Sequence, residues 1–188
     1  MGLGNPVTGG AERCMLCAEP PVIRLREPDR HLCAAHLIAE VEEQAARTIR
    51  ERELIKPHDR IAVAFSGGKD STALLVILSR LLPAWEDVSL VAITVDEGIA
   101  GYRDDTIRAA EEVTKKLRIE HVCVSFMDII GDDLDTLLVG RETHACSVCG
   151  ILRRKALSVA AHKAGATKIA TGHNLDDEAQ SVLKHTSW

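Results

Sequence analysis

The sequence predicts an α/β protein, a doubly wound parallel sheet, preceded by a small cysteine-rich module. Three observations carry that expectation. From about residue 58 onward, apolar runs that suit strands alternate with amphipathic stretches that suit helices, the pattern of parallel strands with helices on both faces. One of these runs, Ile61-Ala62-Val63-Ala64-Phe65, leads directly into Ser66-Gly67-Gly68-Lys69-Asp70-Ser71, a glycine turn that opens a helix. Residues 1–36 are instead rich in Gly, Pro and Cys and show no long period.

At 188 residues the chain can bury one sizeable core with room for a small appended module. Apolar residues make up 46% and charged residues 27%, an ordinary globular balance, and no uninterrupted apolar stretch approaches the length that spans a bilayer. No membrane partner is therefore expected. Met1 to Pro6 lack a basic segment followed by an apolar one, so no secretory signal is read there. The six cysteines then suit a reducing, cytoplasmic setting, where close pairs point to metal or redox chemistry before disulfides. A net charge of −5 argues mildly against nucleic acid, while leaving room for a local basic face.

Residues 1–36 read as a loop-rich zinc-binding module that metal would have to hold together. Over 37–57, Leu37, Ile38, Val41, Ala45 and Ile49 recur at helical spacing among many charges, predicting an amphipathic connecting helix before Pro57. The α/β domain follows over 58–188. Its strands are expected at 61–65, 89–95, 121–126 and 168–171, and its helices at 71–82, 103–117, 132–139, 147–163 and from 176 onward. Cys123 alternates with Val122 and Val124 and is expected in the core. Ligands of such sheets bind beyond the strand C-termini, and three segments fall on that edge: the loop after Phe65, Asp96-Glu97-Gly98, and Gly172-His173-Asn174.

In the loop after Phe65, paired glycines let the backbone approach an anion, and the following helix would aim its first N–H groups at it. Ser66, Lys69 and Ser71 add hydroxyl and ammonium donors. This is not a Walker A loop, because Asp70 follows Lys69 where that pattern needs Ser or Thr. Cys14-x-x-Cys17 and Cys33-x-x-His36 form two knuckles fifteen residues apart, the spacing of a zinc site with three thiolates and one imidazole. His31 breaks that spacing and reads as an exposed loop residue. Cys146-x-x-Cys149, followed by Arg153-Arg154-Lys155, fits a redox pair, half a metal site, or two ligands of an iron–sulfur cluster. A position just ahead of a helix and beside arginines would favour its thiolates. Gly172-His173-Asn174-Leu175-Asp176-Asp177-Glu178 is at least a well-capped helix start. On the same edge as the loop, its carboxylates would also hold Mg2+ against phosphates or position a reacting base.

Taken in order, these motifs resemble the tRNA 2-thiouridine synthetase family, pyrophosphatase-loop enzymes related to the tRNA 2-thiocytidine synthetases and the cytoplasmic tRNA 2-thiolation protein. The resemblance runs from Cys14 to about Leu183 and includes Val95-Asp96-Glu97-Gly98-Ile99 with Gly101-Tyr102-Arg103. It implies the adenine-nucleotide-binding pyrophosphatase-loop form of the α/β fold and an ATP-dependent tRNA sulfurtransferase. ATP would bind through Ala64, Ser66, Gly67, Gly68, Lys69, Asp70 and Ser71, with adenine against Thr94, Val95 and Asp96. Gly172, His173 and Asp176 would complete the nucleotide site. Asp70, Arg153 and Asp177 would serve catalysis, Arg153 as the basic residue and Asp177 as the acidic one. Cys146 and Cys149 would be two of three ligands of a catalytic 4Fe–4S cluster that carries sulfur. The implied cofactors are ATP, Mg2+, the cluster, and Zn2+ on Cys14, Cys17, Cys33 and His36. The implied partners are tRNA and a sulfur-carrier protein or sulfide donor, and a homodimer is compatible with the resemblance.

The chemistry so implied has two steps. The C2 oxygen of a uridine attacks the α phosphorus and expels pyrophosphate; sulfur then displaces AMP from C2. Family members continue past the Gly-His-Asn motif through a further cysteine, whereas this sequence stops at Trp188, so an absent or incomplete cluster is expected in this chain. Two alternatives use the same residues. One is a pyrophosphatase-loop ligase that activates carbonyls for amidation, for which Cys146 and Cys149 are unnecessary. The other is a catalytically incomplete zinc-containing RNA-binding module in which Arg24, Arg26, Arg30, Arg47, Arg50 and Arg52 contact phosphate.

Overall fold

The structure, a computed structural model, describes residues 13–98, 104–139 and 145–186. The chain divides into two compact units, Met1–Ile55 and Lys56–Trp188.

In the first unit, strands β1 (Ile23–Arg26) and β2 (Asp29–Leu32) pair antiparallel, with Ile23 opposite Leu32 and Arg26 opposite Asp29. The segment is thus a hairpin where composition suggested only loop. Four-residue strands are too short to show a period, yet Ile23 and Leu25 alternate onto the face that packs with fully buried Leu32. His31 lies within β2 and is half-buried, so the expectation of an exposed loop residue is corrected by the strand pairing. Helix α1 (Ala34–Glu51) starts with Cys33 as its N-cap, earlier than its apolar period indicates, which places His36 in its first turn. Arg24 grips Asp29 with two bonds of 2.8 and 2.9 Å inside the hairpin. Arg30 grips Glu40 of α1 with two of 2.6 Å. Two of the arginines in the RNA-binding alternative are therefore already engaged in ion pairs.

The second unit is a four-stranded parallel sheet built from β3 (Arg60–Ala64), β4 (Ser89–Asp96), β5 (Glu120–Ser125) and β6 (Lys168–Ala170). Its strand order is β5-β4-β3-β6. Helices α2 (Lys69–Leu81) and α3 (Asp104–Leu117) pack together against β3, β4 and β5. Helices α4 (Phe126–Ile130) and α6 (Ala145–Lys163) pack together against β4 and β5. Because helices flank the sheet, β3 and β4 are buried along most of their length. The core joins Ala62, Val91, Ile93 and Val95 to Phe126 and to Ala156, Ala160 and Ala161 of α6, whose small side chains let that helix approach closely. No helix among the described residues is long and apolar enough to cross a membrane.

Some local expectations are revised. Phe126 opens α4 where the sequence pattern continued the strand, because Ser125 and Asp128 form a reciprocal capping box there. The helix expected at 132–139 shortens to α5 (Leu134–Leu137), capped by Asp133. Cys123 is exposed, not buried: β5 is an edge strand whose Val122 and Val124 take the core-facing side, and alternation puts Cys123 on the other. Helix α6 opens at Ala145, so Cys146 and Cys149 lie inside it and not ahead of it. The last helix, α7, spans Leu175–Thr186. Ile99 and Gly101-Tyr102-Arg103 lie outside the described residues.

At the N-terminal ends of β3 and β6, Asp59 ties the strands together. It accepts from the Lys168 ammonium, from the Lys56 N–H at 2.7 Å and from the Thr167 hydroxyl at 2.7 Å. These donors, Lys168 foremost, hold its carboxyl well below the usual range, at about 2. At the opposite end, the chain steps from β3 outward to β4 and β5, then returns to the far side of β3 for β6. The loops after β3 and β6 meet at that switch in strand order, where sheets of this kind bind ligands.

Candidate functional site

The loop after β3 is shaped by contacts that its composition foreshadows. Phe65 donates its N–H to the Ile93 carbonyl at 2.8 Å, and the chain then turns at Gly67 with φ +76°. A side chain at Gly67 would also stand 3.1 Å from the Thr106 carbonyl oxygen of α3. Ser71 donates its hydroxyl to the Gly68 carbonyl at 3.0 Å. Its single proton is thereby used, so Ser66 is the donor in the 3.1 Å bond between the two hydroxyls. Both hydroxyl protons serve the loop itself. What remains for a ligand is the Lys69 ammonium and backbone: α2 starts at Lys69 behind Gly68, and the first N–H groups of a helix have no intrahelical acceptor. Ser66, Gly68, Lys69 and Asp70 are exposed, while Ser71 is buried.

A cleft of about 470 Å³ opens above this loop. Ala64, Ser66, Gly68, Lys69, Asp70 and Ser71 form one wall, Arg153 and Arg154 of α6 another, and Gly172, His173 and Asp177 the third. Asn174 caps α7, its side-chain oxygen accepting from the N–H groups of Asp176 at 2.9 Å and Asp177 at 3.1 Å. Asp177 returns the bond, its carboxylate accepting from the Asn174 N–H at 2.9 Å. The capping role is thus realised in the same residue that lines the cleft. Thr171 Oγ1 and His173 Nδ1 lie 3.2 Å apart beside it.

Arg153 is held from behind. Its Nε donates to Oε1 of Glu97 at 2.7 Å, and its Nη2 donates to the sulfur of Cys149 at 3.5 Å. Glu97 is fully buried and Cys149 half-buried. The side chain of Cys146 lies outside the described residues. Gly67, Thr94, Val95, Asp96 and Asp176 do not line the cleft. Thr94 is buried and donates to the Phe65 carbonyl at 2.7 Å, which leaves His121 Nε2 as the donor in the 2.8 Å bond to Thr94 Oγ1. Burial pushes His121 below its usual range, in keeping with that neutral form. Asp96 is turned back to accept from the Gly98 N–H at 2.9 Å. Sequence reasoning put Arg154 beside the cysteine pair and Glu97 on the ligand-binding edge but counted neither among the site residues; an acid after a strand carries no signal of burial.

In the first unit, Cys14, Cys17, Cys33 and His36 converge, with their donor atoms all within 4.8 Å of one another. Cys17 and Cys33 sulfurs are 3.7 Å apart, and His36 Nδ1 is 3.4 Å from Cys14 and 3.2 Å from Cys33. Tetrahedral bonds of about 2.3 Å to sulfur and about 2.0 Å to nitrogen would separate the donors by roughly 3.5–3.8 Å, so the cluster fits a zinc ion. Burial raises the Cys14 thiol, but backbone N–H groups near it, led by that of Cys33, outweigh burial and bring it down to about 6.

A family model described as a PP-loop domain matches residues 37–185. Among curated proteins, the chain is 37% identical over 179 residues to the tRNA 2-thiolation protein NcsA of Haloferax volcanii, covering 90% of this chain and 56% of that protein. It is 35% identical over 170 residues to the cytoplasmic tRNA 2-thiolation protein 1 of Caenorhabditis elegans, covering 89% and 45%. The chain spans about half the length of the curated relatives it matches. Among solved structures it superposes on the U34-tRNA thiolase NcsA of Methanococcus maripaludis, determined with a 4Fe–4S cluster. That match has TM-score 0.79 and 32% identity, over 92% of this chain and 57% of that one. An NH3-dependent NAD synthetase from Campylobacter jejuni, at TM-score 0.52 and 18% identity over 71% and 56%, shares the fold. With its sheet, its loop and that match spanning most of its length, the chain belongs to the PP-loop domain family, and its curated relatives are tRNA 2-thiolation proteins.

Proposed function

We propose that this chain carries the nucleotide-binding and uridine-activating part of an ATP-dependent tRNA 2-thiolation enzyme of the cytoplasm. One observation supports this above all: the loop after β3, the arginines of α6 and the turn after β6 surround a single cleft. The loop suits the phosphates of ATP, because the N–H groups at the start of α2 and the Lys69 ammonium are the donors left over for an anion. The uridine C2 oxygen then forms its bond to the α phosphorus as the bond to pyrophosphate breaks. Arg153 and Arg154, which line the cleft, would meet the charge that grows on the phosphate oxygens, so that positioning and electrostatics would account for most of the acceleration. Asp70 and Asp177 would hold Mg2+, which would offset the phosphate charge, in keeping with its preference for few protein ligands.

Cys146 and Cys149, three positions apart on α6, would supply two of the ligands of an iron–sulfur cluster, for which soft thiolates are suited. Bound there, a cluster would supply the sulfur that replaces the C2 oxygen. Arg153 donates to the sulfur of Cys149 and so ties that thiol to the cleft wall. Zinc on Cys14, Cys17, Cys33 and His36 would hold the first unit together. The substrates are tRNA and ATP, and sulfur arrives from a carrier protein or sulfide.

Calorimetry with ATP tests the assignment. Lys69→Ala and Asp70→Ala should each weaken binding at least about tenfold, the scale of one lost charge-assisted contact. Ser66→Ala should act more mildly, through the shape of the loop. Unchanged affinity in all three variants would refute the nucleotide site. With ATP bound, addition of tRNA should release pyrophosphate, and the absence of release would remove the uridine-activating step.

A further inference from the structure

We propose that Glu97 is a positioning residue of this site, holding the guanidinium of Arg153 at the meeting of the Cys149 thiol and the cleft above the phosphate loop. The inference rests on the ATP-binding reading above.

A glutamate with no exposed surface is rare unless its carboxylate is paired, and Glu97 is paired to Arg153 through Nε at 2.7 Å. Its backbone is fixed independently. The Glu97 carbonyl accepts from the Leu134 N–H at 3.0 Å, and Leu134 belongs to the buried core. The next residue, Gly98, turns at φ +74° so close to Asp133 that a Cβ would stand 2.9 Å from the aspartate's own. The carboxylate is therefore mounted on backbone that cannot drift.

Arg153 has the opposite character. Its side chain is 52% exposed and emerges from α6 into the cleft, where a long flexible stem would otherwise sample many rotamers. The guanidinium presents its donors in a rigid planar fork. Pinning Nε to Glu97 fixes the plane and directs the remaining N–H groups elsewhere. One of them reaches Cys149 Sγ at 3.5 Å, and the residue lines the cleft opposite Lys69 and Asp70. Lysine cannot replace this arrangement, since one ammonium offers no fork. Glu97 does not line the cleft; its effect passes through Arg153.

The test is a double-mutant cycle on ATP affinity of the whole chain, using Glu97→Gln, Arg153→Gln and the two combined, with melting curves to establish that each is folded. Glu97→Gln keeps the length and removes the charge. It should weaken ATP binding about tenfold in the wild-type background and less than about twofold in the Arg153→Gln background. Should Glu97→Gln fail to fold, Glu97→Asp takes its place in the cycle, retaining charge while withdrawing the carboxylate by one methylene. Arg153→Lys should bind ATP no better than Arg153→Gln. A folded Glu97 variant with wild-type affinity, or losses that add independently, would overturn the proposal while leaving the nucleotide site standing. Failure of the wild-type chain to bind ATP would remove both.

Discussion

Gly172 and Asp70 are in backbone contact across the switch between β6 and β3. A Cβ built on Gly172 would stand 3.0 Å from the carbonyl carbon and oxygen of Asp70 and from the Ser71 nitrogen. None of these atoms can swing aside, because all three belong to the first turn of α2. The contact sets the width of the cleft where the two loops meet. Gly172→Ala should therefore cost about 1–3 kcal/mol of stability, the usual price of overpacking, and should also weaken ATP binding by displacing the start of α2. Gly150→Ala is the control: its added methyl would meet only the flexible end of Arg154 at 3.7 Å. Denaturant midpoints and calorimetry on both variants check the pair, and equal behaviour would count against the contact.

Metal removal should act on the first unit alone. The small core around Cys14, Leu32 and Cys33 is too slight to hold the hairpin without the four-donor cluster. Elemental analysis should find about one zinc per chain from the single tetrahedral donor set. Chelation should raise hydrogen exchange in β1 and β2 while β3 and β4 stay protected. Because the thiol and imidazole ligands must shed their protons to bind metal, zinc affinity should fall as pH drops.

Acid should loosen the junction of β3 and β6. Asp59 has its carboxyl depressed to about 2 in the fold, so the stabilisation it contributes is complete above the ordinary carboxylate range near 4 and is lost as pH falls toward 2. The stability difference between wild type and Asp59→Asn should accordingly be constant near neutrality and shrink across that window. Urea titrations at several pH values measure it, and a difference independent of pH would contradict the Lys168 pairing.

Thr94→Val preserves shape and deletes one hydroxyl. It would strip the Phe65 carbonyl and the His121 Nε2–H of a buried partner, at a cost of about 1–3 kcal/mol. Thr94→Ser should recover most of it. A thermal scan of the two variants decides, and a neutral valine would show that water replaces the hydroxyl.

By itself the sequence determined the fold class and the places of the parallel strands. Apolar runs, a glycine turn after Phe65 and helical periods are local signals, and each is set by a few neighbouring residues. The two knuckles were legible for the same reason, since ligand spacing within one turn is a local property. Only the tertiary structure decided which face each residue meets. Cys123 is exposed because its strand lies at the sheet edge, and edge position has no periodic signature. The hairpin that contains His31 rests on pairs of very short strands, below the length at which alternation can be read. Glu97 is buried beneath Arg153, 56 residues away, and Gly172 abuts Asp70 across the sheet. Contacts of such separation depend on how the elements pack, and no stretch of sequence holds both partners at once.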